Sequence, residues 1–149
     1  MLGGEDIMDA VNEEKSWFLR LDRGEDLFST LEKWAHENKL KSGHLSGIGA
    51  LQDVELGAYH LDRKEYERKV FPDICELLSL EGNLSFNDGK PFFHIHAVLG
   101  DHDFKTYGGH LFKATVAVTC EVHFRVFDHD VERKPNQDIG LSLLTFCQA

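Results

Sequence analysis

Two histidines stand two residues apart in His94-Ile95-His96, and a third follows a glycine pair in Gly108-Gly109-His110. Side chains alternate between faces along a strand, so His94 and His96 point the same way with Cα atoms about 7 Å apart. Two imidazoles at that spacing can converge on one ion. A third, on a glycine-backed turn, completes the set of protein ligands used by a metal site with an open position. Neutral imidazoles bind zinc at about 2.0–2.1 Å, and three of them bring the pKa of a bound water toward ~7, which makes a hydroxide nucleophile at neutral pH. The same triad also suits a purely structural ion. The plain alternative is a pair of half-buried strand histidines with ordinary hydrogen bonds. The third histidine favours a metal, since histidine is the commonest metal ligand. His94, His96 and His110 are therefore the expected ligands.

No general base is obvious beside them. Asp101, just after the strand, and Glu81, on the strand before it, are the candidates for a fourth ligand or for a group that orients a histidine. His123 lies on the polar face of a long strand and is a weaker candidate. His102 between Asp101 and Asp103, and His129 between Asp128 and Asp130, read as solvated turn residues, while His36, His44 and His60 have no partner pattern.

The elements that must position these residues are mostly strands. Residues 1–14 read as a short helix or a loose N-terminal arm. Residues 16–22 read as a strand on the alternation of Trp17, Leu19 and Leu21. Residues 25–38 read as an amphipathic helix, with Leu27, Leu31, Trp34 and Ala35 on one face. Residues 44–60 read as strands, with a bulge or close backbone approach at Gly47 and Gly49, and 54–59 as a strand of its own. Residues 66–71 form a short strand before Pro72. In 77–85, Leu78, Leu80 and Leu84 face away from Ser79, Glu81, Asn83 and Ser85. Asn87-Asp88-Gly89-Lys90 is a hairpin turn. In 92–100, Phe93, Ile95, Ala97 and Leu99 face the core. In 114–127, Val116, Val118, Cys120, Val122, Phe124 and Val126 form the apolar face, and 139–146 is a last strand. Antiparallel strands with one main helix early give an α+β fold, a mainly antiparallel β-sheet with flanking helices, in a single domain over 1–149.

Net charge is −10, from 26 acids against 16 bases. This opposes non-specific affinity for nucleic acid, which depends on Lys and Arg neutralising phosphates. The densest basic group, Arg63, Lys64, Arg68 and Lys69, is interleaved with Glu65 and Glu67. No apolar run approaches the ~20 residues of a membrane span, and the first residues carry no signal pattern, so a cytoplasmic protein with no membrane partner is expected. Cys75, Cys120 and Cys147 form no CxxC pair and read as small buried residues.

His94-x-His96 followed by Asp101 and Gly108 approximates the first cupin signature, but Asp replaces the usual Glu and the second cupin motif is missing. A closer match is the run His94-Ile-His-Ala-Val-Leu-Gly-Asp101 followed by Gly108-Gly-His-Leu111, which resembles the signature of the PPC domain (DUF296, plants and prokaryotes conserved). Gly47-Ile-Gly-Ala50, the helix before it and Glu121-Val-His-Phe-Arg125 extend the resemblance over residues 16–146. It implies a free-standing prokaryotic-type member, assembled as a homotrimer, with a divalent metal, zinc, at His94, His96 and His110. Plant members pair the domain with Arg-Gly-Arg-Pro segments that enter the DNA minor groove, and this chain has none. Two functions follow: a metal-dependent small-molecule-binding or hydrolytic site, or a DNA-associated or protein-interaction module with a structural metal. The sequence names no substrate and leaves open whether the protein is an enzyme.

Overall fold

Phe93, Ile95, Ala97 and Leu99 are all buried, whereas His96 and Val98 between them are exposed. This two-residue period recurs along the chain and makes it mostly β. The computed structural model describes residues 8–146. The elements are β1 (Asp9–Glu13), β2 (Ser16–Asp22), α1 (Leu27–Glu37), β3 (Gly43–His60), β4 (Glu65–Phe71), β5 (Cys75–Asn87), β6 (Lys90–Gly100), β7 (Thr106–Val126), β8 (Val131–Asn136) and β9 (Leu141–Phe146).

All the strands belong to one 9-stranded sheet. Four of them close on themselves: β3 pairs with β5, β5 with β6, β6 with β7, and β7 returns to β3, every pair antiparallel. β7 can do this because it is long. Its first part lies between β6 and the end of β3, and its second part lies between β2 and the start of β3. The hairpin β8–β9 joins through a parallel contact of Phe86 and Asn87 with Glu132 and Arg133.

α1 covers the inner face. Asp26 caps it by accepting from the Ser29 N–H at 2.9 Å. Leu27, Leu31, Trp34 and Ala35 are buried, as their spacing predicts. The Trp34 ring stands edge-on to Trp17 at 5.4 Å and to Phe124 at 5.1 Å, a geometry aromatic pairs favour. Leu21, Leu45, Leu80, Ile95, Leu99 and Val116 complete this core.

Several expectations need correction. Among the described residues α1 is the one helix, so the sheet is not flanked by helices. Of the expected N-terminal arm, residues 1–7 lie outside the described residues, and Asp9–Glu13 is an exposed edge strand on β2. Residues 44–60 are one strand, not two; Asp53, at φ 51°, bends it without breaking it. The left-handed region is one that Asp tolerates better than most residues. Register shifts opposite Leu77–Ser79 and within the β3–β7 ladder turn Leu78 and Val118 outward, and Ala117 is buried instead. The Asp88-Gly89 turn is as expected, with φ of 49° and 74° at its two positions. Cys75 and Cys120 are buried and free, and Cys147 lies outside the described residues.

Candidate metal centre

Residues in register on adjacent strands share a face. Ser46, Glu81, His96 and His110 make one row across β3, β5, β6 and β7, and His44, Asn83 and His94 make the next across β3, β5 and β6. The three expected histidines therefore meet on the outer surface of the sheet, away from α1. One nitrogen from each lies within 4.8 Å of the others. The Nε2 atoms of His94 and His96 are 3.2 Å apart. Two nitrogens bound to one zinc at about 2.0–2.1 Å with tetrahedral angles stand about 3.3–3.4 Å apart. The pair is thus already spaced for an ion.

His110 does not sit on a turn. It lies within β7, and Gly108 and Gly109 are strand residues that pair with Val98 and Ala97. The glycine at 109 answers a close approach instead: a Cβ there would stand 2.7 Å from the Gly57 carbonyl oxygen. Gly57 is in register with both His110 and Arg68. With no side chain at 57, Tyr66 and Phe112 pack over this position, their rings 4.9 Å and 4.5 Å from that of His110. The Tyr66 hydroxyl stands 3.5 Å from His110 Nδ1 and is placed to influence which ring nitrogen carries the proton. The Arg68 guanidinium lies 3.7 Å over the Phe112 ring and pairs with Glu55.

Burial, then the positive Arg133, pushes the His94 imidazole down to about 4. Burial, then the neighbouring His94 and His96, does the same to His110, also to about 4. Both are neutral at pH 7 and need lose no proton to accept a cation.

The fourth-ligand candidates are otherwise engaged. Glu81 does lie opposite His96, but its carboxylate holds His44 Nε2 at 2.9 Å. Asp101 closes the β6–β7 loop. It accepts the N–H groups of Asp103 and Lys105 and the Tyr107 hydroxyl, and the Lys105 N–H foremost holds its carboxyl below the usual range. His123 is three strand steps from His96, about 14 Å at 4.7–4.9 Å per step, and rests on Phe18. His60 pairs with Glu67.

Sequence reasoning missed Tyr66, Phe112 and Arg133. Arg133 arrives on β8, a strand whose charges and Pro135 hide its alternation. The turn residues Asn136 to Gly140 before an apolar strand were the signal for this hairpin. Nε of Arg133 donates to Ser85 Oγ and Nη2 to Asn83 Oδ1, both at 2.9 Å, and Nη1 donates to the Ser142 carbonyl at 3.2 Å.

Part of this chain is similar to the Synechococcus bifunctional protein GlmU, 34% identical over 94 residues; these are 62% of this chain and 14% of that protein. The chain thus spans about one seventh of the length of that relative. A metal-containing protein of Archaeoglobus fulgidus is 39% identical with a TM-score of 0.84, over 92% of this chain and 96% of that one. A Bacteroides thetaiotaomicron protein described provisionally as DNA-binding shares the fold, with a TM-score of 0.90 at 23% identity over 95% and 99% of the two chains. The model of the Plants and Prokaryotes Conserved (PCC) domain matches residues 8–128, which hold β1 to β7 and all three clustered histidines. With that match added to the shared fold, the chain belongs to the Plants and Prokaryotes Conserved domain family.

Proposed function

We propose that this protein binds one divalent metal ion, zinc, per subunit through His94, His96 and His110, at a site that takes a small molecule. The observation that carries this is the convergence of three imidazole nitrogens within 4.8 Å, two of them at near-tetrahedral zinc spacing. An all-imidazole set suits zinc among the common divalent ions. The metal-containing relative from Archaeoglobus fulgidus supports the same reading. Glu81 and Asp101 are held by other groups, so the protein supplies three ligands and leaves a coordination position for a ligand from solution. When bound, such an ion polarises an oxygen placed on it. His110 is steadied by Tyr66 and Phe112, and His94 lies in register with Asn83, the residue that holds Arg133.

We read residues 1–149 as one domain, working as a homotrimer. Val11, Phe18, Ile48 and Val118 are large apolar side chains left exposed on the sheet, and association between copies would cover them. Among the described residues no helix is long and apolar enough to cross a membrane. Free buried Cys75 and Cys120 suit a reducing, cytoplasmic setting.

A second reading, a DNA-associated module with a structural ion, follows the description of the Bacteroides neighbour. The net charge of −10 argues against it. Elemental analysis of purified protein and of His96→Ala tests the first reading: one zinc per chain is expected in the parent and little in the variant. Equal metal content in the two would end it.

A further inference from the structure

We infer that the metal site recognises its small molecule by an anionic end, a carboxylate or phosphate group, and that Arg133 is the residue that binds it. This rests on the metal reading above and names the ligand class for the same site.

Arg133 is half-buried beside the histidine cluster. Its partners Ser85 and Asn83 lie on the β5 face that is in register with Phe92 and His94, and its guanidinium stands 5.1 Å from the Phe92 ring centroid. A guanidinium carries five N–H donors, and hydrogen bonds to Ser85, Asn83 and the Ser142 carbonyl account for three. Two donors remain. All three acceptors are neutral, and Arg133 forms no ion pair with a carboxylate among the described residues. A partly desolvated cation normally has a counter-charge. Arg20, Arg63 and Arg68 each have one, and Arg23 and Arg125, which have none, are exposed to water.

The histidines sharpen the point. Three imidazole ligands bring a dication no negative charge, and Arg133 adds a further positive charge beside it. The nearest acid in the row, Glu81, is bound to His44. An oxyanion can place one oxygen at the metal and offer another to the free N–H groups of Arg133. Carboxylate and phosphate both match a guanidinium in this way. Arg133 also lies outside residues 8–128, so it is not among the residues by which the family is matched. It belongs to the β8–β9 hairpin, which is therefore the part of this chain that selects the ligand.

The test uses full-length protein loaded with cobalt(II), after metal content has been measured. Inorganic phosphate, acetate and imidazole are titrated separately at constant ionic strength, and the visible spectrum is followed. Phosphate or acetate should perturb the spectrum of the parent, and the stronger of the two identifies the anionic group. Arg133→Met should weaken that anion by about tenfold or more, the loss expected for a charge-assisted hydrogen bond, and leave neutral imidazole unchanged. Arg133→Gln, which retains a donor for Ser85 or Asn83 without the charge, should behave like Arg133→Met and guards against a folding defect in the latter. Equal anion affinity in parent and variants, an equal loss of anion and imidazole, or no anion response in the loaded parent would each overturn the inference while leaving the metal site standing. Failure to load metal at all would overturn both.

Discussion

Zinc added to the metal-free protein should raise its melting temperature, and His96→Ala should remove that rise without lowering the starting value. His96 is exposed and its imidazole fills no core space, so its loss should change the metal-free stability by no more than about 0.5 kcal/mol. His110 would be a poorer choice, because its ring packs on Tyr66 and Phe112. An ion that binds only the folded chain stabilises it by RT ln(1 + [L]/Kd), about 2.7 kcal/mol at a hundredfold excess over Kd. For a chain of 149 residues each kcal/mol moves the melting temperature by about 2–4 °C, so the rise should be about 5–11 °C. The variant keeps two imidazoles and no substitute, since Glu81 is held by His44 and Asp101 by its loop. Scanning calorimetry at fixed protein concentration and pH 7.5 reads both quantities. An equal zinc-induced rise in parent and variant would refute the ligand assignment. A large drop of the metal-free variant would refute the claim that His96 has no structural role.

Gly57→Ala should cost about 1–3 kcal/mol, because the new Cβ would stand 2.5 Å from Phe112 Cε2 and 3.1 Å from Tyr66 Cδ1. It should also weaken zinc binding by displacing the rings that hold His110; denaturant unfolding and a zinc titration check the two effects. In the metal-free protein His94 and His110 are held near 4 against an ordinary value of 6.5, so the unfolded chain takes up protons first. Stability should be full above pH 6.5 and fall as pH drops toward 4, and a series of melts on parent and His94→Ala should show a shallower fall in the variant. For the proposed homotrimer, light scattering should return about three times the 17.0 kDa chain mass, and a concentration-independent monomer would refute it. Labelled AT-rich duplex at about 0.15 M salt should bind no more tightly than the roughly 10⁻⁴–10⁻⁶ M of non-specific contact, and nanomolar sequence-dependent binding would reverse the ranking of the two functions.

The strand face of His94 and His96 was legible in the sequence because a two-residue period needs only local alternation. The helix face, with its 3.6-residue period, and the Asp88-Gly89 hairpin, with its turn residues, were legible because these signals too are local. The location of His110 was not. Two consecutive glycines look like a turn when read locally. Here Gly109 serves a contact with Gly57, about fifty residues earlier in the chain, where no Cβ fits. The faces of Leu78 and Val118 were misread because register shifts in the β5–β6 and β3–β7 ladders reverse the alternation, and such shifts depend on the partner strand. Tyr66 begins a strand that was legible, but its approach to His110 across β3 was not, and Arg133 escaped notice because β8 carries no clear apolar period.

The charge distribution links these residues to the choice of ligand. The chain as a whole carries −10, yet the site gathers Arg133, Arg68 and three imidazoles that bring no negative charge, with the nearby acids Glu55 and Glu81 already paired to Arg68 and His44. At physiological salt exposed charges are screened beyond about 8 Å. A small anion in the pocket is therefore governed by Arg133 and the ion, and scarcely by the distant carboxylates. A DNA duplex is far longer than the screening length and responds to the charge of the whole chain, where 26 acids against 16 bases oppose the release of counterions. The same distribution thus admits a small anion and disfavours a polyanion. Raising the salt should separate the two cases: binding of a small anion held at the metal and Arg133 should weaken only modestly, whereas any residual duplex binding should fall steeply with log salt concentration. A steep salt dependence for the small anion would mean that it is held by diffuse surface charge, and the pocket would lose its claim to it.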